Sequence, residues 1–81
     1  MRTVWDEPKR LANLTKHGID FADIGPEFFE SAFIGRAKQG RLFALGRLDG
    51  VIVVIFAFLG SEAISIVSAR HANRKERKAI E

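Results

Sequence analysis

Apolar and polar residues are spaced differently in the two halves of the chain, and the first half has the spacing of helices. Residues 7–17 predict a helix in which Leu11 and Leu14 share one face. Another face is mostly polar and carries Lys9, Asn13, Lys16 and His17. Asp6 is a candidate N-cap, and Gly18 is suited to end the helix in the left-handed conformation.

A second helix is predicted from Phe21 to about Glu30, with Asp20 as its N-cap. Gly25-Pro26 lies inside this segment. Because proline removes one backbone hydrogen bond and clashes with the preceding turn, the helix is expected to kink or split there.

The second half of the chain predicts strands joined by tight turns. Asp49-Gly50 lies between two apolar runs, which is a strong signal of a two-residue hairpin turn pairing residues 41–48 with residues 51–59. Gly60-Ser61 offers a second turn into residues 62–69. The run 51–59 is apolar on both faces, so it is predicted to be the middle strand, covered on both sides.

Two-residue turns would also fix which side chains share a face of the sheet. One face would carry Leu42, Ala44, Gly46, Leu48, Val51, Val53, Ile55, Ala57, Ile64, Ile66, Ser68 and Arg70. The other would carry Arg41, Phe43, Leu45, Arg47, Ile52, Val54, Phe56, Phe58, Ala63, Ser65, Val67 and Ala69. A slip of one residue exchanges the faces, so this prediction depends on the turns.

Shorter segments complete the predicted fold. Residues 31–36 predict a fourth strand and residues 3–5 an edge strand, while Asn73 and Glu76 have the spacing of a capping box for a last helix. Trp5 and the seven phenylalanines are expected in the core. The result is an α+β fold: two N-terminal helices packed on an antiparallel sheet of three to four strands, followed by a short C-terminal helix. A length of 81 residues suits one small domain, residues 1–81.

The charge of the chain is concentrated in its final segment. Residues 1–69 contain eight Lys and Arg and eight Asp and Glu, whereas residues 70–81 contain five Lys and Arg, two Glu and His71. Such a cationic segment attracts polyanions, since each neutralised phosphate releases a counterion. A solvated helix face is the structural alternative.

Cysteine content and hydropathy exclude several classes of protein. The chain has no cysteine, which excludes disulfides, a thiol nucleophile and a thiolate metal site. Its N-terminus has no apolar signal-peptide core, and the run 51–59 is about half the length that spans a membrane as a helix. These features favour a cytoplasmic protein with no membrane partner.

Five motifs, in order, resemble those of a known family. They are Trp5-Asp6, Asn13-Leu14-x-Lys16-His17-Gly18-Ile19-Asp20-Phe21, Arg41-x-x-Ala44-Leu45-Gly46, Ile64-x-Ile66-Val67-Ser68-Ala69-Arg70 and Arg74-x-Glu76-Arg77. Over nearly its whole length the chain resembles the BrnT family of bacterial type II toxins. This resemblance implies a RelE/ParE-like fold and a ribonuclease that cleaves mRNA or otherwise blocks translation. It also implies a small ribbon-helix-helix (BrnA-like) antitoxin, through which alone operator DNA would be bound.

RNA cleavage without a metal requires groups that activate the 2′-hydroxyl, stabilise the charged phosphorane and protonate the leaving 5′-oxygen. Histidine serves as base or acid near neutral pH, and arginine stabilises phosphoryl charge. The candidate catalytic residues are His17, Arg47, Arg70 and Arg74. The candidate RNA-binding residues are Lys16, His71, Lys75, Arg77 and Lys78. No metal or other cofactor is predicted.

Each candidate also has a structural interpretation. For His17 the structural alternative is stabilisation of a helix end, and for Arg47 it is a pair with Asp49 or with a helix carboxylate. Arg70 ends an apolar strand and must find an anion or reach solvent. The alternative functions are a non-catalytic module that binds nucleic acid or protein, and a degraded toxin that retains antitoxin binding. The absence of Tyr and the Gly25-Pro26 interruption are the features that favour the degraded toxin.

Overall fold

The computed structural model describes residues 1–81 and confirms the α+β class. Its strands are β1 (Arg2–Trp5), β2 (Phe33–Arg36), β3 (Leu42–Arg47), β4 (Val51–Leu59) and β5 (Ala63–His71). Its α-helices are α1 (Glu7–His17), α2 (Pro26–Ser31) and α3 (Arg74–Ala79), and a 3₁₀ turn spans Phe21–Asp23. No helix is long and apolar enough to cross a membrane.

The strands form one mixed sheet in the order β1-β5-β4-β3-β2. Strand β4 is the middle strand, as its apolar sequence predicts. The edge strand predicted at residues 3–5 is confirmed as β1, but the expected antiparallel sheet of three to four strands is wrong, because the sheet has five strands and β1 runs parallel to β5. A parallel partner far away along the chain leaves no turn signal between the two strands.

The helix ends follow their local capping signals. The Asp6 carboxylate accepts a hydrogen bond from the backbone N–H of Lys9 at 3.3 Å, and Gly18 ends α1 with a φ of 72°. The Asp20 carboxylate accepts from the N–H of Ala22 at 2.9 Å and so begins the 3₁₀ turn. Pro26 opens α2, which confirms that the predicted second helix is split.

The β3–β4 hairpin differs from the prediction by one residue. Arg47 pairs with Val51, so Leu48, Asp49 and Gly50 form a three-residue loop, in which Asp49 and Gly50 have φ angles of 50° and 104°. Leu48 is half-buried against the core beneath the N-terminal helices, and this burial outweighs the preference for a two-residue turn. The slip exchanges the predicted faces of β3 relative to β4.

The two faces of the sheet therefore carry separate cores. The helix face packs beneath α1, the 3₁₀ turn and α2, and its core consists of Ile19, Phe21, Ile24, Phe28, Ala44, Ile52, Val54, Phe56, Ile64, Ile66 and Ala69. The opposite face, here called the α3 face, carries a smaller core of Leu45, Val53 and Ala72.

A bulge in β5 determines which of its residues belong to which face. Ile55 pairs with Ser68, but Phe56 pairs with Ile66, so Val67 is an extra residue. The bulge places Ile66 on the helix face and leaves Ser68 on the α3 face. The sequence carries no signal for it, which is why a single face was predicted for all of these residues.

Helix α1 turns a polar face to the sheet. Asn13 is only 8% exposed, whereas Leu11 is 51% exposed. The Asn13 side chain donates from Nδ2 to the carbonyl of Ile19 at 3.0 Å, and its Oδ1 accepts from the N–H of Ala69 at 3.1 Å. The parallel pairing of β1 ends at Ile66, so the outer edge of β5 beyond it has no strand neighbour. Asn13 supplies the acceptor that a strand would have provided.

The expectation that all phenylalanines are in the core is wrong at two positions. Phe33 on β2 is 58% exposed and Phe58 on β4 is 53% exposed. Trp5 is partly buried against the helix-face core. Phe33 lines an open cleft beside α3, and Phe58 lines an open cleft beside α2.

Candidate nucleic-acid interface

A groove runs between α1 and the outer edge of β5. It encloses about 220 Å³ and is lined by Lys9, Ala12, Asn13, Lys16, His17, Val67 and Ser68. No carboxylate lines it, so its polar wall consists of two ammonium groups, an imidazole, an amide and a hydroxyl. We call this the α1 groove. An arrangement of this kind suits a phosphodiester.

Helical spacing and the β5 bulge together build the α1 groove. Lys9, Asn13 and Lys16 follow the four- and three-residue spacing that keeps side chains on one helix face. His17 is the last residue of α1 and is half-buried beside Gly18. On the strand side, the bulge places Val67 and Ser68 at the groove wall.

Arg70 meets an anion on the opposite face of the sheet from α1. Its Nη1 and Nη2 donate to Oε1 and Oε2 of Glu76 at 2.8 and 2.9 Å, a bidentate pair. Its Nη1 also donates to the carbonyl of His71 at 3.3 Å. Arg70 remains about half exposed, with 45% of its side chain accessible. The cation is thus held in one orientation while an edge of the guanidinium stays open to solvent.

Glu76 connects this pair to the start of α3. Its Oε1 accepts from the N–H of Asn73 at 2.9 Å, and the Asn73 side chain accepts in return from the N–H of Glu76 at 2.8 Å. The predicted capping box is therefore confirmed. The hydrogen bonds from Arg70 are the main cause that lowers the pKa of Glu76 to about 2. The carboxylate consequently stays ionised, and it raises the pKa of Arg70.

The other cations near α3 differ in whether their side chains form hydrogen bonds within the chain. Nη2 of Arg47 donates to the carbonyl of Ile80 at 3.4 Å, so the suggested pairing with a carboxylate is wrong. Nη1 of Arg77 donates to the carbonyl of Ala72 at 2.9 Å. We call the group around α3 the α3 patch, and it comprises Arg47, Arg70, Arg74, Lys75, Arg77 and Lys78. Three of these are exposed and form neither a side-chain hydrogen bond nor an ion pair within the chain: Arg74, Lys75 and Lys78.

His71 lies apart from both cationic groups. It lines a small cleft of about 100 Å³ at the β3–β4 loop, together with Asp20, Asp23 and Asp49. Three carboxylates disfavour a phosphate there. Among the candidate residues, Lys16 and His17 lie together in the α1 groove, and Arg47 lies with the other cations of the α3 patch. His71 lies outside both groups.

Among the residues that line the α1 groove, Lys9 and Ser68 have side chains that can bind phosphate but were not among the candidates from the sequence. Lys9 could have been found from its helical spacing to Lys16, since both were assigned to one face. Ser68 could not have been found from the sequence, because its position at the groove depends on the β5 bulge. Ser68 also shares a face of β5 with Arg70, two residues further on, so it lies between the two cationic groups.

Comparison with known proteins gives a match to a family model and similarity to a solved structure. Residues 5–76 match the model of a family described as the ribonuclease toxin BrnT of type II toxin–antitoxin systems. The 1.1 Å crystal structure of the Brucella abortus ribonuclease toxin BrnT is similar with a TM-score of 0.84 and 47% sequence identity, over 91% of this chain and 100% of that one. No curated protein sequence matches.

Proposed function

The chain belongs to the BrnT family of ribonuclease toxins of type II toxin–antitoxin systems. We propose that it cleaves RNA at the C-terminal end of β5, beyond Ile66, where the outer edge of this strand has no strand neighbour, and that the reaction needs no metal ion. The observation that carries this proposal is the placement of cations on both sides of that strand. The α1 groove lies on one side of it, and Arg70 with the rest of the α3 patch lies on the other. A single RNA strand crossing the end of β5 would contact both.

The proposed chemistry assigns one role to each group. His17 takes the proton of the 2′-hydroxyl, whose oxygen attacks the adjacent phosphorus. Arg70, with its orientation fixed by Glu76, stabilises the extra negative charge of the phosphorane. The bond to the 5′-oxygen then breaks, that oxygen takes a proton from solvent water, and protonated His17 returns its proton to solvent. Lys9, Lys16 and the exposed bases of α3 hold the neighbouring phosphates.

The donor chemistry of the site suits this metal-free reaction. The α1 groove contains no carboxylate, and the one carboxylate of α3, Glu76, is already committed to Arg70 and to the N–H of Asn73. Catalytic Mg²⁺ is normally held by carboxylates together with substrate phosphates. No residue set in this interface offers that arrangement.

We therefore expect RNA cleavage by the purified chain to persist in excess EDTA. The measurement is gel analysis of a short unstructured RNA, with mapping of product ends for a 2′,3′-cyclic phosphate and a 5′-hydroxyl. A His17→Ala variant serves as the inactive control. Loss of cleavage in EDTA that returns with Mg²⁺ or Mn²⁺, on the same unstructured RNA, would contradict the proposal.

A type II toxin has an antitoxin partner, and we propose which surface of this chain it covers. An apolar cleft of about 260 Å³ lies beside α3, lined by Phe33, Phe43, Leu45, Val53, Lys75, Glu76 and Ala79. Lys75 of the α3 patch lines this cleft, and Arg74, Arg77 and Lys78 belong to the same short helix. A ribbon-helix-helix antitoxin with an acidic, amphipathic segment would fill this cleft and neutralise those cations. Inhibition would then be steric and electrostatic, in the cytoplasm, and operator DNA would be bound through the antitoxin alone.

Reversing charge at Arg74 and Lys78, as Arg74→Glu and Lys78→Glu together, is expected to slow antitoxin association roughly tenfold and to weaken its salt dependence. Both side chains are exposed without an intramolecular partner, so the fold should be unaffected. Stopped-flow association at several salt concentrations measures the effect. Arg2→Glu on β1 makes the same charge change as either single reversal, so it is the matched control for Arg74→Glu and Lys78→Glu measured one at a time.

Hydrogen exchange on the free and bound toxin locates the interface independently. Protection is expected in residues 70–80 and in the strands that line the apolar cleft. Protection confined to α1, with residues 70–78 unchanged, would show that the antitoxin binds elsewhere.

A further inference from the structure

Strand β2 forms an unprotected edge of the sheet. It is the last strand in the order, and it carries large apolar side chains on both faces. Phe33 is 58% exposed on the α3 face, and Ile34 is 42% exposed on the helix face. Natural proteins usually blunt such an edge with charge, proline or a covering element, because it can pair with another chain.

The backbone of β2 has unpaired groups directed outward. The N–H of Ala37 donates to the carbonyl of Arg41 at 2.9 Å, so this pair faces β3. In an antiparallel ladder, alternate residues point their N–H and C=O to opposite sides. Ile34 and Arg36 therefore direct theirs to the free edge. Gly35 lies between them, with the Phe43 ring occupying the place where a side chain of its own would stand.

Apolar clefts reach this edge from both faces. On the α3 face, the cleft beside α3 is lined by Phe33 and Phe43. On the helix face, a cleft of about 310 Å³ is lined by Ile34, Phe58 and other largely apolar residues. A partner strand placed along β2 would therefore have the helix-face cleft available to its apolar side chains, and on the α3 face it would meet Phe33, which also lines the cleft proposed for the antitoxin.

The charges around β2 indicate which kind of partner strand fits this edge. Glu27 and Glu30 precede the strand and are exposed, whereas Arg36 and Lys38 lie at its other end and are also exposed. An edge that is acidic at its start and basic at its end is complementary to a second copy of itself in antiparallel orientation. A purely acidic or purely basic partner strand would be repelled at one end.

We propose that two copies of this chain associate through antiparallel β2–β2 pairing, with the two-fold axis at Gly35. The outward groups of Ile34 in one copy then meet those of Arg36 in the other, which gives about four new backbone hydrogen bonds. Glu30 of each copy approaches Lys38 of the other. The α1 groove remains open in both copies, because it lies at the opposite edge of the sheet.

Sedimentation velocity of the purified full chain over a wide concentration range tests this proposal. The wild type is expected to show a concentration-dependent monomer–dimer equilibrium. Ile34→Lys places two ammonium groups near the axis and is expected to weaken the dimer at least about tenfold. Leu11→Lys makes the same change at a similarly exposed position on α1 and should leave the equilibrium unchanged.

A charge exchange sharpens the test. Glu30→Lys and Lys38→Glu are each expected to weaken the dimer, and the double variant is expected to recover wild-type association. The proposal is overturned by a chain that stays monomeric at every concentration, by equal effects of Ile34→Lys and Leu11→Lys, or by a double variant no better than the single ones. Hydrogen-exchange protection of β2 that appears only with antitoxin, on a monomeric free toxin, would assign the edge to that partner instead.

Discussion

Induction of the Arg70→Ala variant is expected to leave bacterial growth unaffected, whereas induction of the wild-type chain arrests it. Arg70 is held by Glu76 with its guanidinium half exposed at the end of β5, where the proposed RNA path crosses the strand. Removing one donor that stabilises charge in a transition state typically lowers the rate by roughly 10² to 10³. A loss of this size should bring RNA cleavage below the level that stops growth. The measurement is growth after induction at matched protein levels.

Arg70 also has a structural role, so the test needs controls. The pair with Glu76 is partly solvent-exposed, and its loss should cost about 1 kcal/mol. Thermal unfolding of Arg70→Ala should therefore remain close to that of the wild type. Arg2→Ala removes an exposed arginine of β1 and should still arrest growth. Undiminished arrest by a well-expressed Arg70→Ala variant would remove Arg70 from the site.

Asn13→Ala is expected to destabilise the protein far more than any leucine substitution on the same helix. The change removes the hydrogen-bond partner of two buried backbone groups, the carbonyl of Ile19 and the N–H of Ala69. Each unpaired buried group costs about 1–3 kcal/mol. A domain of this size has roughly 4–12 kcal/mol of stability in total, so this single change removes a large part of it. Urea unfolding monitored by the fluorescence of Trp5 measures the loss.

Leu11→Ala is the matched control, because it lies on the exposed side of α1. Its cost is expected to stay within about 0.5 kcal/mol. If Leu11→Ala instead costs more than Asn13→Ala, α1 packs with its apolar face inward and the structure of this helix is wrong.

The elements set by local chemistry could be predicted from the sequence. The bounds of α1, its caps at Asp6 and Gly18 and the capping box of α3 were all found from short-range signals. The split at Gly25-Pro26 follows from the missing N–H of proline. Each of these features depends on a few neighbouring residues, which is why pattern alone was sufficient.

Features set by contacts distant along the chain could not be predicted. The burial of Leu48 shifted the hairpin register, and the extra residue Val67 divided β5 between two faces. The orientation of α1 depends on the unpaired N–H of Ala69, which appears only when β1 ends before it. For the candidate site, residue types were predictable, but the partner of Arg70 and the place of Ser68 were not.

The parallel pairing of β1 with β5 has a consequence for synthesis of the protein. Thr3 pairs with Ile64, so the nascent chain must be extended by about 60 residues before its first strand has a neighbour. At roughly 5–20 residues per second, this takes about 3–12 s. The α1 groove needs Val67 and Ser68 and cannot exist earlier. The emerging polypeptide therefore lacks the proposed cleavage site until the ribosome that makes it has translated past Val67 and Ser68.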